Sequence, residues 1–420
     1  MTVSSLRQAV YAGLGQRFFY GWVILAVAGL GIFASGPGQS HTFSVFIGPV
    51  SRELDIGRTW MAVAYGLATS VAAFGLPLVG RVVDRFGPRS TTLVVSVLLG
   101  FACVLFSLVG GVATLALAFV ALRFLGQGSL MLNCSNLVAQ WFSARRGFAM
   151  SLMALGFSAS MAVHPPLAQW LADTYGWRTA WIVLAVSTWA LLLPAFALFV
   201  FDKPEGLGLR PDGEAAPAAG TAPPAITGLT LKQALAGPAF YIIAAGMFSI
   251  SMLVTALHFY QVSILVSQGL EPQVPARVFP VSALTMVLAM PLIGRMLDKL
   301  PTHLVFALSL TIMAAALGAV NLVTDIPTAI AYAVLFGVLN GFSMSMFGFL
   351  WARYFGRRHL GSIQGTGQMI TVIGASLGPL PFGIAYDLTG SYQSTLLLFA
   401  LLPLAIAIVA LLKLRPPALD

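Results

Sequence analysis

The chain has 420 residues, 58% of them hydrophobic and only 8% charged, with a mean hydropathy of +0.91. So few charges cannot cover a water-soluble protein of this size, which excludes an ordinary soluble enzyme. The formal charge of +9 comes from 22 Lys and Arg against 13 Asp and Glu, but the basic residues lie in short clusters between apolar stretches. They read as topology signals and not as a nucleic-acid surface.

Residues 1–17 are mixed, and the apolar run that opens at Phe18 outlasts a signal-peptide core, so the first span is expected to stay in the membrane. Apolar segments follow at roughly 18–50, 59–80, 90–110, 113–139, 148–171, 179–201, 238–266, 274–295, 303–323, 328–352, 361–384 and 392–414. About 20 residues cross a ~30 Å hydrocarbon layer as a helix. In lipid only a helix satisfies the backbone of such runs, and the alternating strands of a membrane barrel are missing. The expected fold is an all-α integral membrane bundle of twelve transmembrane helices. Gly36-Pro37-Gly38 is expected to interrupt span one; His164-Pro165-Pro166 in span five and Gly378-Pro379-Leu380-Pro381 in span eleven are expected to be matching bends.

Alternate loops differ in basic charge. One set, which includes Arg7, Arg17, Arg145, Arg146, Arg357 and Arg358, holds 17 Lys and Arg; the opposite set, Arg52, Arg58, Arg178 and Arg277, holds 4. The excess marks the cytoplasmic side, so both termini are expected there. Residues 202–237 are rich in Pro, Ala and Gly, with Ala215 to Pro224 the least structured part, and form a linker between an N-terminal half, 1–201, and a C-terminal half, 238–420. The halves repeat. LPLVGRVVDR at 76–85 matches MPLIGRMLDK at 290–299 at an offset of 214, and Pro165, Asp173 and Gly176 match Pro379, Asp387 and Gly390 at the same offset. The chain therefore reads as a duplicated six-helix unit with both copies in one orientation.

Cys103 and Cys134 lie in apolar stretches without metal-ligand spacing, so neither a disulfide framework nor a zinc site is supported. No HExxH, GxSxG or phosphate loop occurs, so no catalytic residue, metal or cofactor is implied. The expected partners are a small-molecule substrate and the lipid bilayer, with no nucleic acid and no obligate protein partner.

Gly80, Asp84, Arg85, Gly87 and Arg89 resemble the loop signature GxxxDRxGRR of the major facilitator superfamily, with Pro88 at the first closing Arg position; Gly294, Arg295, Asp298 and Lys299 resemble its degenerate second copy. The resemblance covers nearly the whole chain and implies the major facilitator fold in a bacterial inner membrane. It implies that Asp84, Arg85, Arg89, Asp298 and Lys299 form a gate or latch rather than a substrate site. Phe19-Tyr20-Gly21-Trp22, Trp141-Phe142 with Arg145-Arg146-Gly147, and Gly176-Trp177-Arg178 are similar to the oxalate/formate antiporter and monocarboxylate porter groups. Unlike those groups, this chain has no charge in residues 278–294 and 362–384, which argues against a dicarboxylate.

Arg123 lies inside the fourth span, where a cation costs at least ~2.5 kcal/mol, so it is expected to face the bundle interior. With Gly126, Gln127 and Gly128 it resembles the family signature RxxxGxG, here in the shorter form RFLGQG, and helical spacing places Gln127 one turn along the same face. Arg123 reads either as an anion or proton-coupling group or as a cation held structurally by carbonyls. No Asp or Glu falls within the hydrophobic middle of a span, so candidates for proton linkage are His41, His164 and His258. His41 and His258 occupy comparable places in the two halves. With Arg123, Gln39, Tyr260, Gln261, Tyr332 and Asn340 they make the expected substrate pocket. Such a pocket suits a secondary transporter of a small organic monoanion of monocarboxylate type, working by alternating access with proton linkage. The alternative is a neutral aromatic nutrient such as a riboflavin-like vitamin, or efflux of an amphipathic drug.

Overall fold

The computed structural model describes residues 3–14, 18–55, 58–213, 226–271 and 273–417. Arg17 and the stretch from Ala215 to Pro224 lie outside the described residues, as do the side chains of Arg58 and Arg277.

Eleven helices among the described residues are long and apolar enough to cross a membrane: Val63–Phe86, Pro88–Ser107, Val112–Trp141, Arg146–Tyr175, Trp177–Phe199, Pro238–Ser267, Pro280–Lys299, Thr302–Val320, Ile326–Phe355, Leu360–Thr389 and Gln393–Lys413. They correspond to spans two to twelve. Span one is the apolar helix Gly21–Ala34, a tight 3-10 turn at Gly36–Gly38, the short helix Ser40–Phe43 and, beyond a second tight turn, Ile47–Leu54. The break falls at the expected Gly-Pro-Gly, since Pro37 lacks the N–H that would continue the ladder.

Span five runs as one helix through Pro165 and Pro166; span eleven carries its proline pair just past Gly378, between Leu360–Leu377 and Pro379–Thr389, with Gly378 itself in helical conformation. Residues Arg123–Leu130 of span four form a π-helix, so Gln127 does not follow Arg123 at α-helical spacing. A short helix, Leu231–Ala236, capped at Thr230, precedes span seven.

The end of the bundle that carries residues 202–213 and 226–237 is here the linker end. There, spans that precede residue 202 meet spans that follow 237 through two equivalent contacts. A Cβ on Gly80 would sit 2.1 Å from the Gly361 carbonyl oxygen, and one on Gly147 would sit 2.5 Å from that of Gly294. Both pairs are related by the offset of 214. Without side chains at these positions the backbones touch, as in small-residue helix contacts within membranes.

Candidate functional site

The linker end is closed by hydrogen bonds between the two sets of spans. Asp84 accepts from the backbone N–H of Gly361 at 2.7 Å and of Ser362 at 2.8 Å, and from the Ser362 hydroxyl at 2.5 Å. Asp298 accepts from the N–H groups of Gly147 at 2.5 Å and Phe148 at 3.0 Å. Each carboxylate thus sits at a helix N-terminus of the opposite set, where free N–H groups and the helix dipole favour an anion. The other expected gate residues do not join this contact. Arg85 is exposed and lies over the Phe86 ring; Arg89 donates to the carbonyls of Phe196 and Ala197 at the end of span six; Lys299 is exposed.

Further closing bonds were not visible in the sequence. Arg357, counted there as a loop charge, pairs with Glu205 at 2.6 Å and donates to the Gln140 carbonyl, while Gln140 Nε2 donates to the Arg357 carbonyl at 3.1 Å. Gln364 Nε2 donates to Ser135 Oγ at 2.5 Å, Ser151 Oγ to Ser345 Oγ at 2.8 Å, and Ser70 Oγ to Ser376 Oγ at 3.1 Å. Gln368 Nε2 reaches the Gly128 carbonyl at 3.2 Å, an oxygen of the π-helix. Beyond Ser70 and Ser376, toward the far end, no hydrogen bond joins the two sets among the described residues. Among the described residues several buried amide atoms have no partner: Gln140 Oε1, Gln364 Oε1 and Gln368 Oε1, whose Nε2 groups cross the seam, and Asn133 Oδ1 and Asn136 Nδ2 of span four. Arg146 is buried as well, donating to the Phe142 carbonyl at 3.0 Å at the end of span four.

Arg123 is 6% exposed. Its Nε donates to Thr69 Oγ1 at 3.1 Å, and Nη1 to the Gly38 carbonyl at 3.2 Å and Ser40 Oγ at 3.4 Å. The guanidinium lies 5.0 Å from the centre of the Tyr65 ring, and Tyr65 Oη is 2.6 Å from Ser40 Oγ. Among the described residues no carboxylate faces this cation. The local fold explains the position. A Cβ on Gly126 would lie 2.8 Å from Gly38 Cα, so the broken part of span one rests directly on the π-helix and presents its freed carbonyl to Arg123. Thr69 was not among the expected pocket residues, whereas Ser40, beside His41, and Tyr65 of span two were polar and aromatic candidates in the sequence.

The remaining candidates fall into separate places. His41 is half-buried, with Nε2 3.1 Å from Ser160 Oγ, which is also 3.1 Å from His164 Nδ1. Gln39 is buried and donates to Ser35 Oγ at 3.0 Å. His258 is exposed, its ring centre 4.7 Å from that of buried Phe336, which stacks on Tyr332 at 5.7 Å. Asn340 donates to the Phe336 carbonyl at 2.8 Å. Gln261 and Tyr332 are buried with the Gln261 amide and the Tyr332 hydroxyl unpartnered among the described residues. Tyr260 is half-buried, its ring 5.4 Å from Tyr392. The structure thus gathers Arg123 and His41 in one cluster and His258, Tyr332 and Asn340 around Phe336, while Gln39 and Tyr260 turn to other partners. A groove of about 440 Å³ between spans two, three and four, lined by Leu78, Val82, Phe86, Val94 and Phe124, offers a polar solute almost nothing to bind.

The family model described as Major Facilitator Superfamily matches residues 21–274 and 267–420. Monocarboxylate transporter 13 of Bos taurus is 26% identical over 90% of this chain and 85% of its own length. A 4-hydroxybenzoate transporter of Acinetobacter baylyi is 27% identical over 44% of this chain and 40% of its own. The crystal structure of the human organic anion transporter MFSD10 superimposes with a TM-score of 0.72 at 15% identity, covering 93% of this chain and 99% of that one, which shows a shared fold. With duplicated acid-to-helix contacts at one end, no enzyme among these relatives and a family model that spans both sets of helices, the chain belongs to the major facilitator superfamily of membrane transporters.

Proposed function

We propose that the chain is a secondary transporter of a small organic monoanion of monocarboxylate type, driven by alternating access and linked to protons. The observation that carries this reading is Arg123: a buried guanidinium held by a carbonyl, two hydroxyls and a ring, with no carboxylate to neutralise it among the described residues. A buried cation with neutral partners keeps much of its charge for a solute anion, and carboxylates bind guanidinium in paired hydrogen bonds. The names of the relatives, a monocarboxylate transporter and a 4-hydroxybenzoate transporter, point the same way.

The two six-helix halves, 1–201 and 238–420, rock about this site, with 202–237 as the cytoplasmic linker. The linker end is the cytoplasmic one, as the basic loops require, so the structure is the state facing outward across a bacterial inner membrane, with both termini inside. The unpartnered amides of the seam favour opening and so offset part of the hydrogen bonding that closes it. Closure leaves each with an unmet hydrogen bond of about 1–3 kcal/mol, which water repays on opening.

A second reading, a neutral aromatic solute, draws on the His258, Phe336 and Tyr332 ring ladder and on the absence of charge in residues 278–294 and 362–384. The test is uptake of lactate, 4-hydroxybenzoate and riboflavin into proteoliposomes with and without an inward proton gradient. Loss of gradient-driven monocarboxylate uptake in Arg123→Gln, by at least tenfold, is the expected result. Riboflavin uptake alone, unchanged in that variant, would overturn the anion reading in favour of the second.

A further inference from the structure

His41, Ser160 and His164 form an unbroken chain: His41 Nε2 to Ser160 Oγ at 3.1 Å and Ser160 Oγ to His164 Nδ1 at 3.1 Å. His164 Nδ1 also lies 3.2 Å from the Ser160 backbone carbonyl. Ser160 is 0% and His164 6% exposed, while His41 is half-buried. A carbonyl only accepts, so His164 Nδ1 carries the hydrogen. Ser160 Oγ then accepts from His164, and its single hydrogen is left for His41 Nε2. With no carbonyl accepting from the Ser160 hydroxyl among the described residues, the chain takes one polarity, in which neutral His41 holds its hydrogen on Nδ1 and offers the lone pair of Nε2 to Ser160.

We propose that this chain is the proton-coupling element of the transporter, with His41 the group that takes up the proton, Ser160 the switch and His164 a positioning residue. The inference rests on the proton-linked reading above. One proton from a hydronium ion of the medium adds to His41 Nε2: one O–H bond of the hydronium breaks, releasing water, and one N–H bond forms. The Ser160 hydroxyl turns from donor to acceptor, and its hydrogen moves to a carbonyl one turn back in the helix, as helical serines allow. No other covalent bond changes. His164 stays neutral, fixed by the carbonyl.

The groups that face His41 explain why the proton would travel with an anion. Arg123 of span four reaches Ser40, the neighbour of His41, as does the Tyr65 hydroxyl of span two; span five contributes His164 and the edge of Phe157. None is an acid, and Glu53, the acidic residue further along span one, is engaged by Arg178 at 2.8 Å. Protonated His41 beside Arg123 would place two cations in one uncharged cage. A solute carboxylate between them removes that repulsion, so proton and anion favour each other's binding.

Two measurements on the full chain test this. In weakly buffered proteoliposomes, solute addition to the wild type should alkalinise the medium in step with uptake; Ser160→Ala should lose at least fivefold of the alkalinisation per solute while solute exchange at equal pH persists, and Ser160→Thr should restore it. Wild-type uptake with no alkalinisation would overturn the proton-linked reading and this inference with it. Equal alkalinisation in wild type and Ser160→Ala would overturn the relay alone. Independently of any solute, nitrogen NMR of labelled histidine, assigned by loss in His41→Gln and His164→Gln, should place the hydrogen on Nδ1 of both rings and show the His41 titration displaced in Ser160→Ala. A His41 signal with its hydrogen on Nε2, or a titration indifferent to Ser160→Ala, would refute the chain.

Discussion

Replacing Asp84 by Asn should open the linker end, and the size of the effect follows from the contact. The carboxylate accepts three bonds, from Gly361 N, Ser362 N and Ser362 Oγ, across the two sets of spans. Hydrogen bonds to a charged group contribute about 1.5–3 kcal/mol and neutral ones about 0.5–1.5. Asn keeps one acceptor oxygen, but its NH₂ then confronts the N–H of Ser362. Because Asp84 is only half-buried, solvent screening puts the loss near the low end, about 2 kcal/mol, or a shift of roughly thirtyfold toward the open linker end. The readout is the rate at which a membrane-impermeant thiol reagent modifies Ser135→Cys, a fully buried position on the closed seam. The background replaces Cys103 and Cys134, both buried. Asp298→Asn should act in the same direction, since it removes the equivalent contact at Gly147 and Phe148. Modification rates within twofold of the parent in both variants would refute the claim that these carboxylates hold the end shut.

Gly80→Ala should do more than either, because its Cβ would fall 2.1 Å from a backbone oxygen that cannot move aside alone; transport should drop at least tenfold while Ser135→Cys becomes reactive. Glu205→Gln removes a partly exposed ion pair worth about 0.5–1 kcal/mol, whereas Arg357→Ala also removes the bond to the Gln140 carbonyl, so the thiol rate should rise more in Arg357→Ala than in Glu205→Gln. Asp325 caps span ten by accepting from Thr328 N at 2.9 Å and Thr328 Oγ1 at 2.6 Å, and these bonds hold its carboxyl below the ordinary value of 3.8. A depressed carboxyl stabilises the fold above its unfolded value and loses that contribution as pH falls through the folded one. The melting-temperature gap between wild type and Asp325→Ala should therefore be constant near neutrality and shrink only in acid below 3.8.

The helices, the break at Gly36-Pro37-Gly38 and the duplication could be read from residues, because length, apolarity and backbone chemistry act locally. Asp84 and Asp298 were legible for a different reason: a repeat at one offset carries both acids and the glycines they meet. The interior cation was also visible, since a lone Arg in an apolar run has to find partners. Those partners were not. Gly38 is marked as part of a break, but its tie to Arg123 spans 85 residues; Thr69 lies 54 residues away and nothing local marks it. Ser160 is one serine among many in apolar helices, and its tie to His41 spans 119 residues. Arg357 and Arg146 were read as loop charges because both sit beside other basic residues. Only the packed structure shows that Arg357 crosses to Gln140 and Glu205 while Arg146 binds the last carbonyls of span four.

The π-helix of span four changes how that span should be counted. An i to i+5 ladder fits more residues into each turn than an α-helix does, so every position after Leu130 is rotated relative to a straight reading from Arg123. The amides that meet span eleven, and Gln140 at the linker end, present their faces because of that rotation. Span four therefore behaves as two α-helices of different phase spliced through a wider turn. Removing a single residue from the turn would leave both ends the same length yet swing the whole closed seam away from its partners, a lesion that no substitution at Arg123 itself would reproduce.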